Sequence, residues 1–325
     1  MATTTTTTTS TSSKKKIVWS WQSNPDPWNE NEEKVWKYYS DFANEFIEDA
    51  HQKKSEGEVQ LGDYVIDFRQ MLQIRKDNRT KQRPIKREEV NVSRYLREER
   101  FCFAEKPMKS FTITQYGGGK FTYGWHERNQ VLCYPATRYS EIVEQAANGN
   151  FLSLTISTNK TLPSCFVKTM GILEEGKLLN EESEAQLIAD KLRHVKDKSV
   201  KEIYDCCIRL YSAESFLYKL VNSTLRSEDM TKTDTLGAYC QLLSWHLGCS
   251  ELDQKELTVY RGCKLTEELI EEYTQNVGKR IQWLAFTSTT KDRKVAEGYG
   301  NTLFIINLQR CQPYGKQRDI ASLSQ

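Results

Sequence analysis

An α+β protein built in at least two parts is expected from this sequence, on three observations. Near the N-terminus, bulky and small residues alternate in a strand-like run, and a helical pattern follows it. Toward the C-terminus, a series of helical patterns gives way to three apolar, β-branched runs, the order of an α+β domain. At 325 residues the chain is also long enough for two or three modest cores.

The composition is that of a protein without a specialised solvent. Charged residues make up 28% of the chain and nearly cancel, leaving a net charge of +2. No global field therefore favours nucleic acid or an anionic membrane. Residues 1–15 are threonines, serines and lysines after Met1-Ala2, the composition of a solvated tail without the apolar stretch of an export signal. No later run is long enough to span a bilayer. The nine cysteines form an odd set without C-x-x-C spacing, and the pair Cys206-Cys207 has apolar helical neighbours. Reduced thiols in a cytoplasmic or nuclear protein are the expectation. Cys240, His246 and Cys249 lie close together but lack a fourth ligand, so no metal site is expected there.

Residues 16–90 form the first block. Lys16–Trp21 alternates as a half-buried strand does, and Asn24-Pro25-Asp26-Pro27 turns the chain. From Glu32 to Gln52 the residues Val35, Trp36, Tyr39, Phe42, Phe46, Ile47 and Ala50 recur at helical spacing. Tyr64–Phe68 reads as a strand, and Met71–Ile74 either continues it or pairs with it. Residues 75–87 carry seven basic side chains against Asp77 alone. With Trp21, Trp36 and Glu48, Tyr64, Gln73 and the arginine-rich end at Arg87, this block resembles the WWE domain throughout its length. The resemblance implies a half-barrel of strands around one helix. It also implies a pocket for the iso-ADP-ribose unit of poly(ADP-ribose), lined by Trp36, Tyr64, Gln73 and Arg83. The chemistry suits that ligand: adenine needs an aromatic or apolar wall and amide partners, and two phosphates need guanidinium groups in a fixed fork. Trp21 reads as core, whereas Gln73 and Arg83 fit ligand contact and a solvated basic edge equally well.

Residues 91–172 are less legible. Lys120–His126 echoes Lys16–Gln22 position by position, and Ile142–Ala146 echoes Phe46–Ala50. The block reads as a degenerate second copy of the same domain without counterparts of Gln73 or the basic tail. Gly117-Gly118-Gly119 then reads as a hairpin loop, since no helical pattern follows it.

Residues 173–325 form the last block. Ala185, Leu187, Ile188, Leu192 and Val195 mark one helix face. A second helical stretch runs from about Val200 to Arg226 with a break near Tyr211-Ser212, and Leu236–Leu247 is helical again. Strands are expected at Leu257–Arg261, Trp283–Thr290 and Thr302–Leu308. Arg261 ends Val259-Tyr260-Arg261, Ser288 sits in Phe286-Thr287-Ser288-Thr289, and Tyr218 and Asn222 precede Arg226 on one helix. Together these resemble the arginine-serine-glutamate class of mono-ADP-ribosyltransferases, over about residues 180–325. The resemblance implies a split β-sheet core led by helices, with NAD bound as substrate in the cleft and arginine side chains of a protein as acceptors. It assigns Arg261 to the phosphate and ribose side of NAD, the Gly262 backbone to the nicotinamide amide, and Ser288 to bracing the pocket. Tyr299 falls where an aromatic stacks on nicotinamide, and Asn222 and Tyr218 line the cleft.

Breaking the nicotinamide–ribose bond develops positive charge on the ribose, which such a site must stabilise. The family does so with a Glu-x-Glu loop. No residue after Ser288 fits it: Glu297 is too near the serine and Asp319 lies in the approach to the loop, so the domain reads as stopping short of its glutamate. Two expectations follow. One is a transferase targeted by a reader of ADP-ribose polymer or a protein-binding WWE module; the other is a non-catalytic binding protein with an inert transferase-like domain.

Overall fold

The structure is a computed structural model; it describes residues 15–53, 57–91, 111–113, 120–129, 139–148, 171–248, 257–279 and 281–308. The chain divides into two compact units, Met1–Arg97 and Glu98–Gln325.

In the first unit the strands are β1 (Lys15–Gln22), β2 (Trp36–Tyr38), then, after helix α1 (Asp41–Gln52), β3 (Glu58–Leu61), β4 (Tyr64–Asp67), β5 (Leu72–Arg75) and β6 (Gln82–Asn91). They form one antiparallel sheet in the order β2-β1-β6-β5-β4-β3. Met71–Ile74 therefore pairs with the preceding strand and does not continue it. The expected helix from Glu32 starts late: Trp36–Tyr38 is extended, and the amide of Tyr39 donates to Trp19 O. Ser40 then caps α1, its Oγ accepting from the Ala43 amide, so the apparent helical period of Val35, Trp36 and Tyr39 is coincidental.

The core lies between α1 and one face of the sheet, where Trp19, Tyr39, Ile47, Ile66 and Ile85 pack together. Trp19 is fully buried, and Trp21, expected in the core, is half-buried and packs against it. Trp19 Nε1 donates to Glu48 Oε2 at 2.8 Å. Arg87 grips the same carboxylate with two bonds, at 2.9 and 2.7 Å, and Gln52 adds a third donor. These donors, Arg87 first, hold the Glu48 carboxyl well below its usual 4.5, at about 2. Where β2 ends, Asn44 takes its place beside β1: its Oδ1 accepts from the Trp19 amide and its Nδ2 donates to Ile17 O.

The second unit begins with β7 (Phe111–Ile113) and helices α2 (Lys120–Asn129) and α3 (Tyr139–Asn148). Next come α4 (Ile172–Leu178), α5 (Glu182–Val195), α6 (Val200–Ser212), α7 (Phe216–Ser227), a 3-10 turn at Met230–Lys232 and α8 (Thr233–Gly248). Strand β8 (Leu257–Cys263), helix α9 (Glu267–Gln275), β9 (Ile281–Trp283), α10 (Arg293–Glu297) and β10 (Thr302–Leu308) complete it. β8 pairs antiparallel with β10, and β7 with β9. The helical break expected near Tyr211-Ser212 falls between α6 and α7, where Ser215 caps α7. Helix α8 buries Leu236, Tyr239, Cys240, Leu242 and Leu243 and is packed by α2, α3 and α6.

Lys120–His126, the echo of the first strand, lies in the helix Lys120–Asn129. Phe121 and Trp125 satisfy a period of two and an i, i+4 helical pair alike; Tyr123 decides between them, being 61% exposed while its neighbours two away are buried. Trp125 packs where Gly237 of α8 has no side chain: a Cβ there would lie 2.3 Å from its ring. The echo of β1 in residues 91–172 is thus a sequence likeness without a shared strand, and a helix does follow Gly119. The three glycines themselves, residues 117–119, lie outside the described residues. Trp283–Thr290 is also not one strand: β9 stops at Trp283, and only Thr290 bridges to Tyr260. The carbonyl of Phe286 instead accepts from Tyr211 Oη at 3.2 Å.

Among the described residues Cys206, Cys207, Cys240 and Cys263 are free thiols, and burial pushes Cys206 up to about 11 and Cys240 up to about 12. No helix of the described residues is long and apolar enough to cross a membrane.

Glu48 makes acid stability a test of the first unit. Its contribution is complete above the unfolded value of 4.5 and fades as pH falls toward about 2. In urea unfolding, Glu48→Gln should cost most at neutral pH, and the gap to the wild type should narrow through that window; parallel stability curves would contradict the network.

Candidate functional site

In the first unit the register decides which side chains meet. Side chains alternate between the two faces of a sheet, so residues opposite one another share a face. Ile66 pairs with Gln73, Gln73 with Arg83, Tyr64 with Arg75 and Trp21 with both Lys37 and Ile85. Tyr64, Gln73 and Arg83 thereby stand on the α1 face with Trp21, Lys37 and Tyr39. Trp36 does not join them. It pairs with Gln22 on the opposite face, where Lys86 Nζ lies 4.6 Å from its ring centroid.

Buried Gln73 accepts a 2.6 Å hydrogen bond at Oε1 from Tyr39 Oη. Burial, reinforced by the nearby Tyr64 phenol, pushes the Tyr39 hydroxyl far above its ordinary value, so it remains a donor. That bond occupies Gln73 Oε1 and leaves Nε2 as the donor of the group. Arg83 Nη1 donates to two backbone carbonyls, Gln22 O at 2.9 Å and Asn24 O at 2.6 Å. Its guanidinium carbon lies 5.5 Å from the Trp21 centroid, and Lys37 Nζ lies 5.9 Å from the same ring. The result is an aromatic and amide floor beside two cations. Tyr39, Trp21 and Lys37 are absent from the sequence-based site; the alternation around Trp21 was visible, but not which strand it faced.

In the second unit Arg261 is 7% exposed on β8, and its Nη1 donates to the carbonyl of Ser288 at 3.1 Å. The contact of Ser288 with Arg261 is thus through its backbone. Arg226, one helical turn after Asn222 on α7, enters the same cleft. Burial, and then the charge of Arg261, push the Arg226 guanidinium below its ordinary value. Tyr273, Trp283 and Phe304 face the two arginines. These three rings fix one another: Trp283 Nε1 donates to Tyr273 Oη at 2.9 Å, and Phe304 meets both rings edge-on.

Gly262 sits beneath α10, where an added Cβ would lie 1.7 Å from Ala296 O and 3.1 Å from the Tyr299 Cβ. Tyr299 therefore stands beside the strand end, next to Gly262. Asn222 is buried and braces rather than lines the cleft: its Nδ2 donates to Tyr211 Oη at 2.9 Å, and Tyr211 in turn holds the Phe286 carbonyl. Tyr218 is buried with its hydroxyl donating to Glu214, so the structure does not bring it into the cleft. Glu297 lies on α10, paired with Arg293 at 2.7 Å. Asp319 and Cys249 lie outside the described residues. Among the described residues no group of three metal-ligating side chains occurs.

Residues 17–87 match the family model of the WWE domain, and this chain carries that domain there. The match covers the sheet and α1 of the first unit. No family match supports the transferase resemblance of the residues that follow. No curated protein and no solved structure matches the chain.

Gly262 offers a direct test of the cleft's packing. Gly262→Ala should destabilise the second unit by roughly 1–3 kcal/mol or more through overpacking against α10. Denaturant unfolding followed by tryptophan fluorescence measures this; an unchanged midpoint would mean that α10 yields easily.

Proposed function

We propose that the chain is a reader of ADP-ribose, binding the unit through its WWE domain on the surface formed by Trp21, Lys37, Tyr39, Tyr64, Gln73 and Arg83. The observation that carries this reading is the grouping of Gln73 and Arg83 on one face, with each side chain already oriented. A ligand meets donors that need little reorganisation: an amide whose oxygen is held by Tyr39 and a guanidinium pinned on one nitrogen. Adenine or ribose packs against the aromatic surface, and the phosphates pair with Arg83 and Lys37. The partners on this reading are poly(ADP-ribose) and ADP-ribosylated proteins.

Calorimetric titration of the full chain with iso-ADP-ribose tests the assignment. Gln73→Ala and Arg83→Ala should each weaken binding about tenfold or more, the loss of one charged or oriented hydrogen bond. Trp36→Ala, on the far face, should stay within about twofold. Equal losses at all three positions would remove the pocket.

A second reading is supported by the arginine pair of the second unit. Two guanidiniums in one partly desolvated cleft repel each other, and a diphosphate relieves that repulsion. Aromatic rings opposite them suit the flat bases of NAD. On this reading Arg261 and Arg226 hold the pyrophosphate, and Gly262, closed over by α10, fixes the strand end beside them. Ser288 and Asn222 fix the cleft walls, and Tyr299 stands beside the nicotinamide. The chemistry proposed is transfer of ADP-ribose from NAD to protein arginine. Arg226→Ala or Arg261→Ala should lower NAD affinity about tenfold in the full chain. Labelled NAD incubated with acceptor protein separates transfer from binding alone, and absence of NAD binding would overturn the reading.

A further inference from the structure

We infer that Tyr39, by holding the oxygen of the Gln73 amide, makes the reader surface select a base whose outer edge offers a hydrogen-bond acceptor, as adenine does, over one that offers a donor there, as hypoxanthine does. The inference rests on the reader assignment above and adds base selectivity to it. An unconstrained glutamine cannot make that choice. Its amide carries an acceptor and two donor hydrogens, and it turns over to suit either base.

The chain removes the freedom to turn. Tyr39 is buried in the core with Trp19, Ile47, Ile66 and Ile85, and its amide donates to Trp19 O at 3.1 Å. The next residue, Ser40, caps α1, so the backbone is held on both sides of the phenol. The Tyr39 hydroxyl donates to Gln73 Oε1 at 2.6 Å and stays protonated, because burial disfavours the phenolate. Turning the amide over would set Nε2 against the phenol oxygen and leave the phenol proton buried without its acceptor. An unpaired buried donor disfavours that arrangement by about tenfold or more.

The other end of the amide is open. The Gln73 side chain is only 6% exposed, yet Nε2 forms no hydrogen bond among the described residues and is not one of the buried polar atoms left without a partner. The accessible part of Gln73 therefore includes Nε2, and what it offers is a donor. Arg83 and Lys37, on the same face, are also donors; they suit the phosphates and leave the choice of base to Gln73.

In an ADP-ribose unit the base hangs from its ribose by N9. The ring nitrogens N3 and N7 flank that bond, and the edge with N1 lies farthest from the ribose and phosphates. Arg83 stands opposite Gln73 across the strands and is half-buried where Gln73 is buried. A unit whose phosphates stay with the outer Arg83 thus meets Gln73 with its far edge. Adenine presents a bare N1 there and accepts from Nε2. Hypoxanthine presents N1–H, so two donors face each other where the amide cannot turn, and both are left unpaired.

Calorimetric titration of the full chain with iso-ADP-ribose and with its hypoxanthine counterpart tests this selectivity. The wild type should favour the adenine probe by about tenfold or more. In Tyr39→Phe the amide is free to turn. The hypoxanthine probe should then bind more tightly than to the wild type and the adenine probe less tightly, and the preference should fall to about threefold or below. A core that merely loosened would weaken both probes alike and keep the ratio. Gln73→Met, which has no donor, should also lose the preference, and adding Tyr39→Phe to it should move the ratio no further. Three results would each overturn the inference and leave the reader intact: equal binding of both probes by the wild type, a Tyr39→Phe ratio still at the wild-type value, or a preference that survives Gln73→Met. Failure of the wild type to bind either probe would instead bring down the reader assignment, and this inference with it.

Discussion

One carboxylate ties the first unit together. Glu48 reaches from α1 to the indole of β1 and to the guanidinium of β6, two strands that are neighbours in the sheet. A charge in this position does more than add an ion pair. Trp19 and Arg87 sit opposite each other in the register, so gripping both with one side chain fixes the pairing of β1 with β6. A slip of one residue would turn every side chain of β1 to the other face. Trp21 would leave the candidate surface and Trp36 would have to follow a different partner. The grouping of Trp21, Gln73 and Arg83 on one face is therefore a by-product of a register that Glu48 locks.

What could be read from the sequence follows from this. Runs with one dominant period were legible: β1, β8, β10 and the helices α5 to α8 stand where apolar spacing put them. Segments that satisfied two periods were not. Phe121 and Trp125 are four apart, which suits a strand and a helix equally, and the exposure of Tyr123 between them resolves the two. Val35, Trp36 and Tyr39 imitate a helix although the cap at Ser40 excludes them from it. The site was legible in part for the same reason. Gln73, Arg83, Arg261 and Gly262 stood out as residue types in context, but the face that Trp36 occupies depends on its pairing with Gln22, which no local pattern encodes. Arg226 had a local signal, its place one turn beyond Asn222. Its meaning depends on a strand arginine thirty-five positions later (residues 226 and 261).

The two candidate sites use one physical device. Arg83 is held by the carbonyls of Gln22 and Asn24, and Arg261 by the carbonyl of Ser288. A guanidinium has five N–H donors in a rigid fork, so a backbone oxygen can fix one edge while others still face a ligand. Lysine could not be fixed in this way without giving up its direction. Both sites thus present oriented positive charge beside aromatic rings, the combination that a nucleoside diphosphate requires.

Asn44 has a role beyond the core. Strand β2 covers β1 only from Ser20 to Gln22, and the amide of Asn44 occupies the backbone groups of Ile17 and Trp19 that would otherwise be open. A row of unpaired backbone donors and acceptors is a template on which another chain can add a strand. Here a helix side chain closes that row at its most apolar stretch, beside the buried Trp19. The tryptophan-rich strand of the candidate surface is thereby shielded from edge-to-edge association, and a domain that carries aromatic rings on one face avoids displaying the backbone beneath them for aggregation.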